Sequence, residues 1–496
     1  MGKIYKQSVY GGLFTILGIL LGVAVTLLSM RFFPQEELGF TQNLIRVTAI
    51  LSQLGILGFH MSLLIKGQAY EKGTEERAVF FTYTFCSSLL GLSIIGLILW
   101  ASSAYFPNIY KEEDRLLIQK YFILFPLLTF LSGILLFFES WLQGNHKTSL
   151  ATFSRETITR ILYIGLIFLY GFDILTFETF ITSYVAMHLL PLIYLYFAGH
   201  KIEKIALNFN FKILSKATKR HLWSFSTFHL FAILSLMLVH QLDILLLAPL
   251  SNGGLKDVAI YSIAALVINM LRGPMRTIAT AITPSLSEHY HKKDYIALKN
   301  LFNTSRINAQ LYAVFTTGLI AINIPNMGFF LDFIQEGYEI VPLVVGILLI
   351  GQFFEMLAGF NHELIGVSNA YKINFWLSIS FAILLFILHF FMISSWGIVG
   401  AAIATSIGFT LYNLLKSWFI YRYFKFPMIL SMGWKVIGVG AAIAVIIYII
   451  PNLSNTILNT LIKSGLFASL YWIITYRLKS SAQLVQITNR IFPFLK

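Results

Sequence analysis

Charge is what this 496-residue sequence has least of: Asp, Glu, Lys and Arg make up 12% of it, against about 25% in a soluble domain. So few ions cannot cover a water-facing surface on a chain this long, which excludes a soluble enzyme and a disordered chain. Cysteine is nearly absent as well. Cys86 stands alone, so neither an intrachain disulfide framework nor a cysteine-based metal site is expected. The pattern G-x-x-x-x-G-K-[ST] is missing, and with it a phosphate-cradling loop for a nucleotide-driven pump. H-E-x-x-H and G-x-S-x-G are missing too, since His362-Glu363 is not followed by a second histidine. No enzyme chemistry, cofactor or metal is expected.

What the sequence does have is apolar length. It is 57% hydrophobic with a mean hydropathy of +0.75, and the apolar residues come in blocks of about 20, one bilayer crossing each. The expected fold is all-α, a polytopic membrane protein with about fourteen transmembrane helices. The spans run over residues 11–33, 40–64, 79–102, 117–141, 153–170 and 176–198, then 221–247, 257–283, 307–331, 341–365, 371–394 and 397–424. Two more follow at 429–450 and 455–476. The net charge of +14 and pI near 9.5 would suggest nucleic acid in a soluble chain. Here the basic residues fall in alternate loops, as the positive-inside rule requires, so no nucleic acid is expected. Loops after even-numbered helices hold Lys66, Lys72 and Arg77, then Lys147 and Arg155, then Lys201 to Arg220, and later Lys292, Lys293 and Lys299. Loops after odd-numbered helices are poor in Lys and Arg: "PQEELG", "GFD", "DFIQEGYE" and "SSWG" have none. This alternation places both termini in the cytoplasm. The apolar run after Lys3 and Lys6 is too long for a secretory leader and reads as an uncleaved first helix.

A weak internal repeat sets the domain organisation. Glu37-Leu38-Gly39-Phe40 aligns with Asp257-Val258-Ala259-Ile260 six helices later, and an even number of crossings gives parallel repeats. The expectation is two pseudo-symmetric six-helix lobes, 1–199 and 221–425, with two extra helices and a tail over 426–496. Between the lobes, 200–220 mixes Lys with Ile, Leu and Phe. It reads as a cytoplasmic amphipathic linker, either a surface helix or a plain basic connection.

Ionisable residues inside spans are costly in a bilayer, so each is a functional candidate. Arg46, Gln53 and His60 repeat every seven residues, two helical turns, and so share a face that Gln42 and Asn43 extend. Asn269, Arg272 and Arg276 share another, kinked by Pro274. A guanidinium suits phosphate oxygens because its planar fork gives paired, charge-assisted bonds. His229, His240 and Asp243 form a third stripe. It reads either as a proton or sodium site or as an acid neutralising an arginine, and pairing is favoured because buried charges need partners. Glu355, with Gln352 one turn before, is the other candidate for ion coupling or charge pairing. Glu139 reads as an interfacial residue, His188 and His389 as packing histidines, and "EHYHKKD" as a loop rather than a metal cluster.

Three stretches carry a family resemblance. "FFPQEELGFTQNLIRVTAILSQLGILG", "QLDILLLAPLSNGGLKDVAIYSIAALVINMLRGPMRTIATAITPSLSEHY" and "WGIVGAAIATSIGF" resemble helix 2, helices 7–8 and helix 12 of the polysaccharide flippases. These belong to the multidrug/oligosaccharidyl-lipid/polysaccharide exporter superfamily. The resemblance implies alternating access around a cationic cavity and a polyprenyl-diphosphate-linked oligosaccharide as substrate. It implies cavity roles for Arg46 and Arg272, while helix 1 lacks the arginine that the family carries there. A count of fourteen resembles the lipid II flippases, whose extra pair forms a groove for the lipid tail. The function expected is movement of the lipid-linked glycan from the cytoplasmic to the outer leaflet of a bacterial inner membrane, for cell-surface polysaccharide such as lipopolysaccharide. Membrane lipid, a proton or sodium counter-ion, and polymerase or glycosyltransferase partners belong to the same picture. The alternatives are a drug/cation antiporter of the same superfamily and a membrane-embedded polymerase or glycosyltransferase, the latter disfavoured by the short outer loops.

Overall fold

The computed structural model describes residues 2–204, 206–328, 337–427 and 430–491. Among them the chain is helical, with no strand. Among the described residues, ten helices are long and apolar enough to cross a membrane. Two bent pairs, Gln35–Gly55 with Phe59–Ala69 and Lys216–Ser235 with Met237–Leu250, raise the number to twelve if each pair is one span. Most of the outer loop "DFIQEGYE", and the start of the span expected at 429–450, lie outside the described residues. The contacts divide the chain into two compact units, Met1–Ala259 and Ile260–Lys496.

The first unit holds α1 (Gly2–Phe32), α2 (Gln35–Gly55), α3 (Phe59–Lys66), α4 (Glu75–Ala101), α5 (Glu112–Lys120), α6 (Leu124–Gly144), α7 (Thr148–Phe153), α8 (Thr159–Gly171), α9 (Phe177–Ala186), α10 (Leu189–Ile202) and α11 (Lys216–Leu250). Polar caps start the helices where the apolar runs begin. The Thr74 hydroxyl accepts from Arg77 N at 3.2 Å, and Ser215 accepts from Thr218 N at 3.0 Å, each satisfying one of the orphan donors of a first turn. Between α7 and α8, Ser154–Ile158 is wound as one π-helical turn, so the helix runs unbroken from Thr148 to Gly171. The unit is organised on α6, against which α2, α3, α4 and α10 all pack. Phe59, Phe80, Phe81, Phe137 and Trp141 are buried there. Lipid tails are as apolar as these rings, so close packing holds the helices together rather than exclusion from water.

Two expected elements differ. The helix expected over 40–64 is broken. Leu57 and Gly58 have φ of 53° and 74°, and α2 and α3 meet at 63°. The glycine is required there, because a Cβ at Gly58 would run into the Ser226 carbonyl of α11. Of the two readings of the linker over 200–220, a surface helix or a plain basic connection, the helix does not form. After α10 ends at Ile202, the described residues up to Ser215 are not helical. Asn208 explains part of this: its N–H donates to Thr82 Oγ1 at 2.9 Å and its Nδ2 to Glu75 Oε1 at 2.9 Å. These bonds to α4 replace the ladder bonds a helix would supply.

α12 (Gly254–His291) begins in the first unit and continues into the second. The second unit further holds α13 (Tyr295–Asn323), α14 (Val341–Ala358), α15 (Asn361–Val367), α16 (Tyr371–Phe424), α17 (Ser431–Ile449), α18 (Thr456–Arg477) and α19 (Ala482–Ile491). α16 is two helices joined at Gly397, whose φ of 53° and ψ of −130° are not helical. α14 packs mainly against α16, while α17 and α18 dock on α13. The bare Cα of Gly440 on α17 faces Val314, and the Tyr471 hydroxyl of α18 donates to the Leu311 carbonyl at 2.9 Å.

Candidate functional site

Polar groups are held within the apolar helices of both units. In the first, α2 carries Arg46 half-buried, and its Nη1 donates to Gln241 Oε1 of α11 at 2.7 Å. Gln53, two turns on, is buried. His60 is buried too but lies beyond the break, so the heptad stripe is carried by two differently directed helices. His60 is close enough to His229 for the two rings to interact electrostatically. The second stripe is also divided. α11 bends by 53° between Ser235 and Met237. His229 stands before the bend, its ring 4.3 Å from that of Phe225, whereas half-buried His240 and Asp243 follow it. Asp243 Oδ1 accepts from the Ile244 N–H at 2.8 Å.

The second unit draws three candidates together. Arg272 of α12 donates through Nε to Glu355 Oε2 of α14 at 3.2 Å and through Nη1 to Asn269 Oδ1 at 3.2 Å. Its guanidinium carbon lies 5.0 Å from the centre of the Phe409 ring, a cation–π distance. Arg276 is exposed and feels the charges of both Arg272 and Glu355. Gln352, one turn before Glu355 on α14, is buried. Arg272, at 12% side-chain exposure against 29% for Glu355, is thus neutralised by one acid through a single donor. A guanidinium held in this way can also engage another anionic acceptor of similar geometry through the same fork.

Lys416 escaped the sequence reading, and Glu139 was read only as interfacial. Lys416 of α16 is only 3% exposed. Its Nζ is 3.1 Å from His362 Nδ1 and 4.0 Å from the centre of the Tyr412 ring. Glu139, expected at the interface, is 7% exposed and lies 3.7 Å from Arg155. Both were visible as ionisable residues in apolar stretches, the same signal that singled out Arg46 and Arg272. His188 and His389 are hydrogen-bonded, through Nδ1 to the Tyr184 carbonyl at 2.9 Å and to the Leu385 carbonyl at 2.8 Å.

Outside the spans, two carboxylates fix loops to helix ends. Asp114 Oδ2 accepts from Leu255 N, in the first turn of α12, at 3.0 Å, where a negative charge suits the helix dipole. Burial nonetheless pushes its carboxyl up. Burial also opposes ionisation of Glu203. There, Arg77 wins, donating Nε to Oε1 and Nη2 to Oε2 at 2.9 Å each, with Asn145 adding a third bond at 3.2 Å. The carboxyl is held below its ordinary value.

A family model described as "Polysaccharide biosynthesis protein" matches residues 4–290, more than half of the chain. The chain belongs to this family. No curated protein sequence matches it. Among solved structures, the lipid II flippase MurJ in an inward closed conformation superposes with a TM-score of 0.74 at 17% identity, over 95% of this chain and 99% of that one. An inward-facing multidrug resistance MATE family transporter of the MOP superfamily gives 0.67 at 12% identity, over 82% and 94%. A MOP superfamily transporter from Pyrococcus furiosus, described as having a binding pocket of reverse polarity, gives 0.55 at 12% identity, over 85% and 95%. At such identities the likeness is one of fold. This member of the polysaccharide biosynthesis family therefore has the fold of the MurJ and MATE transporters.

Proposed function

We propose that this protein is a flippase that carries polyprenyl-diphosphate-linked oligosaccharide from the cytoplasmic to the outer leaflet of a bacterial inner membrane by alternating access. The observation that carries the reading is the coincidence of polysaccharide-biosynthesis family membership with a flippase-like fold over 95% of the chain. In this reading the lobes 1–199 and 221–425 rock about a cavity, and the two last helices stand beside them. Each bent pair is one span, Lys372–Phe424 is two because of Gly397, and Thr148–Gly171 is one. The charge alternation then closes at fourteen crossings with both termini cytoplasmic. Arg46 and Arg272 take the diphosphate, with Gln53, His60, Asn269 and Arg276 around them, and the sugar sits in the wet cavity while the lipid tail stays in the bilayer. Asp243, His240, His229 and Glu355 balance the arginine charge.

Transbilayer movement of a fluorescent polyprenyl-diphosphate oligosaccharide in proteoliposomes tests this. Arg46→Ala and Arg272→Ala are each expected to lower the initial rate by at least tenfold, since a charge-assisted phosphate contact is worth about 1.5–3 kcal/mol. Movement that survives both substitutions removes the diphosphate from these helices. A second reading, a drug/cation antiporter of the same superfamily, is favoured by Glu355 and by the MATE-like fold. Transport of a cationic dye with no movement of the lipid-linked glycan would establish it instead.

A further inference from the structure

We propose that a cavity inside the first unit is a binding site for a neutral sugar ring, with Gln53, Glu139, Ser154 and Arg155 as the groups that hydrogen-bond its hydroxyls. The cavity measures about 320 Å³, within the range of small-ligand pockets. α2, α6, the π-helical turn and α10 wall it in. Gln53 and Ser154 both line it at 5% and 1% exposure, yet Gln53 Nε2 and Ser154 Oγ have no hydrogen-bond partner among the described residues. An orphaned buried donor costs about 1–3 kcal/mol, so native proteins keep one only where something else satisfies it. Glu139 lines the same space, and its ion pair with Arg155, at 3.7 Å, is longer than a hydrogen bond. The widened turn at Ser154–Ile158 sets Ser154 and Arg155 on the wall, and such π-bulges are frequent at functional sites.

Charge and donor bookkeeping select the ligand. Arg155 offsets Glu139. Glu156 is held by Arg155 at 3.2 Å and by Arg160 at 2.7 Å. The surroundings are therefore neutral, and a bare cation or an anion would each meet its own repulsive partner. The hydroxyls of Thr48 and Thr159 spend their hydrogens on the Leu44 and Ser154 carbonyls, at 2.7 and 3.1 Å, so toward the cavity they only accept. With the Glu139 oxygens they form an acceptor-rich wall, to which Gln53 and Arg155 add donors. An uncharged molecule with several O–H donors and a few acceptor oxygens fits that set. Naming it a sugar rather than another polyol rests on the flippase reading above.

Saturation-transfer difference NMR on the full-length protein in nanodiscs tests the site, with free glucose, galactose, N-acetylglucosamine, rhamnose and glucuronate as probes. At least one neutral sugar is expected to give signal and glucuronate none. Gln53→Ala should weaken that sugar's binding about threefold to tenfold. Ser132→Phe, which plugs the cavity from α6, should abolish it, with thermal melts showing that both variants fold. No signal from any neutral sugar overturns the proposal, as does signal that survives both substitutions. Sodium or proton binding that Glu139→Gln removes would make the cavity a cation site and overturn it as well. The flipping assay run alongside separates the two ideas. Glycan movement without sugar signal sinks the pocket alone, and sugar signal without glycan movement sinks the transport reading alone.

Discussion

Arg272 and Glu355 hold each other through one bond of 3.2 Å, and the two readings of the molecule ask opposite things of that acid. If Glu355 only neutralises Arg272, Glu355→Gln keeps the hydrogen bond and drops the competing charge. The apparent KM for the lipid-linked glycan should then fall about threefold to tenfold with kcat little changed, because an ionised partner adds roughly 1 kcal/mol to such a bond. If Glu355 carries a coupling ion, the same substitution abolishes transport. Proteoliposome rates at several substrate concentrations decide between them. The pair was half legible in the sequence. Each residue stood out as a charge in an apolar span, but they are 83 positions apart, and no helical spacing relates residues on different elements. Lys416 and His362 were harder for the same reason. Lys416 is 3% exposed and its imidazole partner is 54 positions away. Lys416→Met should leave that ring nitrogen without its donor and lower stability by about 1–3 kcal/mol, read as a fall in thermal midpoint.

Among the elements, the breaks were written in the sequence as glycines but were overridden by a stronger pattern. The seven-residue spacing of Arg46, Gln53 and His60 argued for one helix straight through "LGILG". Gly58, with φ of 74° and no room for a side chain against Ser226, turns the chain there. Gly58→Ala should cost about 1–3 kcal/mol in backbone strain and loosen the Ser62–Ser226 hydroxyl contact, 2.7 Å in the native protein. Thermal unfolding and hydrogen exchange of α3 would show both effects. The connection after α10 depends on a different device. Glu203 is bound at both oxygens by Arg77, and the two side chains are 11% and 8% exposed. Because that pairing lowers its carboxyl, the native state favours the ionised form. Its stabilisation is complete above the ordinary value of 4.5 and fades as pH falls through the lower native one. The wild-type thermal midpoint should therefore drop between pH 5 and more acidic buffers. Glu203→Gln should start lower, by about 3 kcal/mol for a broken buried pair, and lose less on acidification. A parallel acid response in both proteins would remove Glu203 from the account.

The all-helical, multi-pass character of the whole molecule was the most legible feature, because bilayer thickness constrains every crossing at once. Twenty-residue apolar blocks and alternate basic loops needed no tertiary information, whereas bends within a span leave composition unchanged and stay hidden. The same asymmetry of charge bears on energetics. On the flippase proposal, a diphosphate carried outward would move two negative charges away from a negative interior, a gain of about 4.6 kcal/mol per 100 mV. Cationic side chains that travel with it, such as Arg46 and Arg272, would cancel part of this gain only if they crossed the field themselves. In the proposed mechanism, lobes that rock about a fixed site would keep them near the midplane, so most of the driving force would remain. Proteoliposomes with a potassium diffusion potential, negative on the side that holds substrate, should therefore flip the glycan faster as the potential grows, with no imposed ion gradient. Co-transport of two cations outward with the diphosphate would carry no net charge and so make the rate indifferent to potential and dependent on the cation gradient, which would return Glu355 and Asp243 to the role of coupling site.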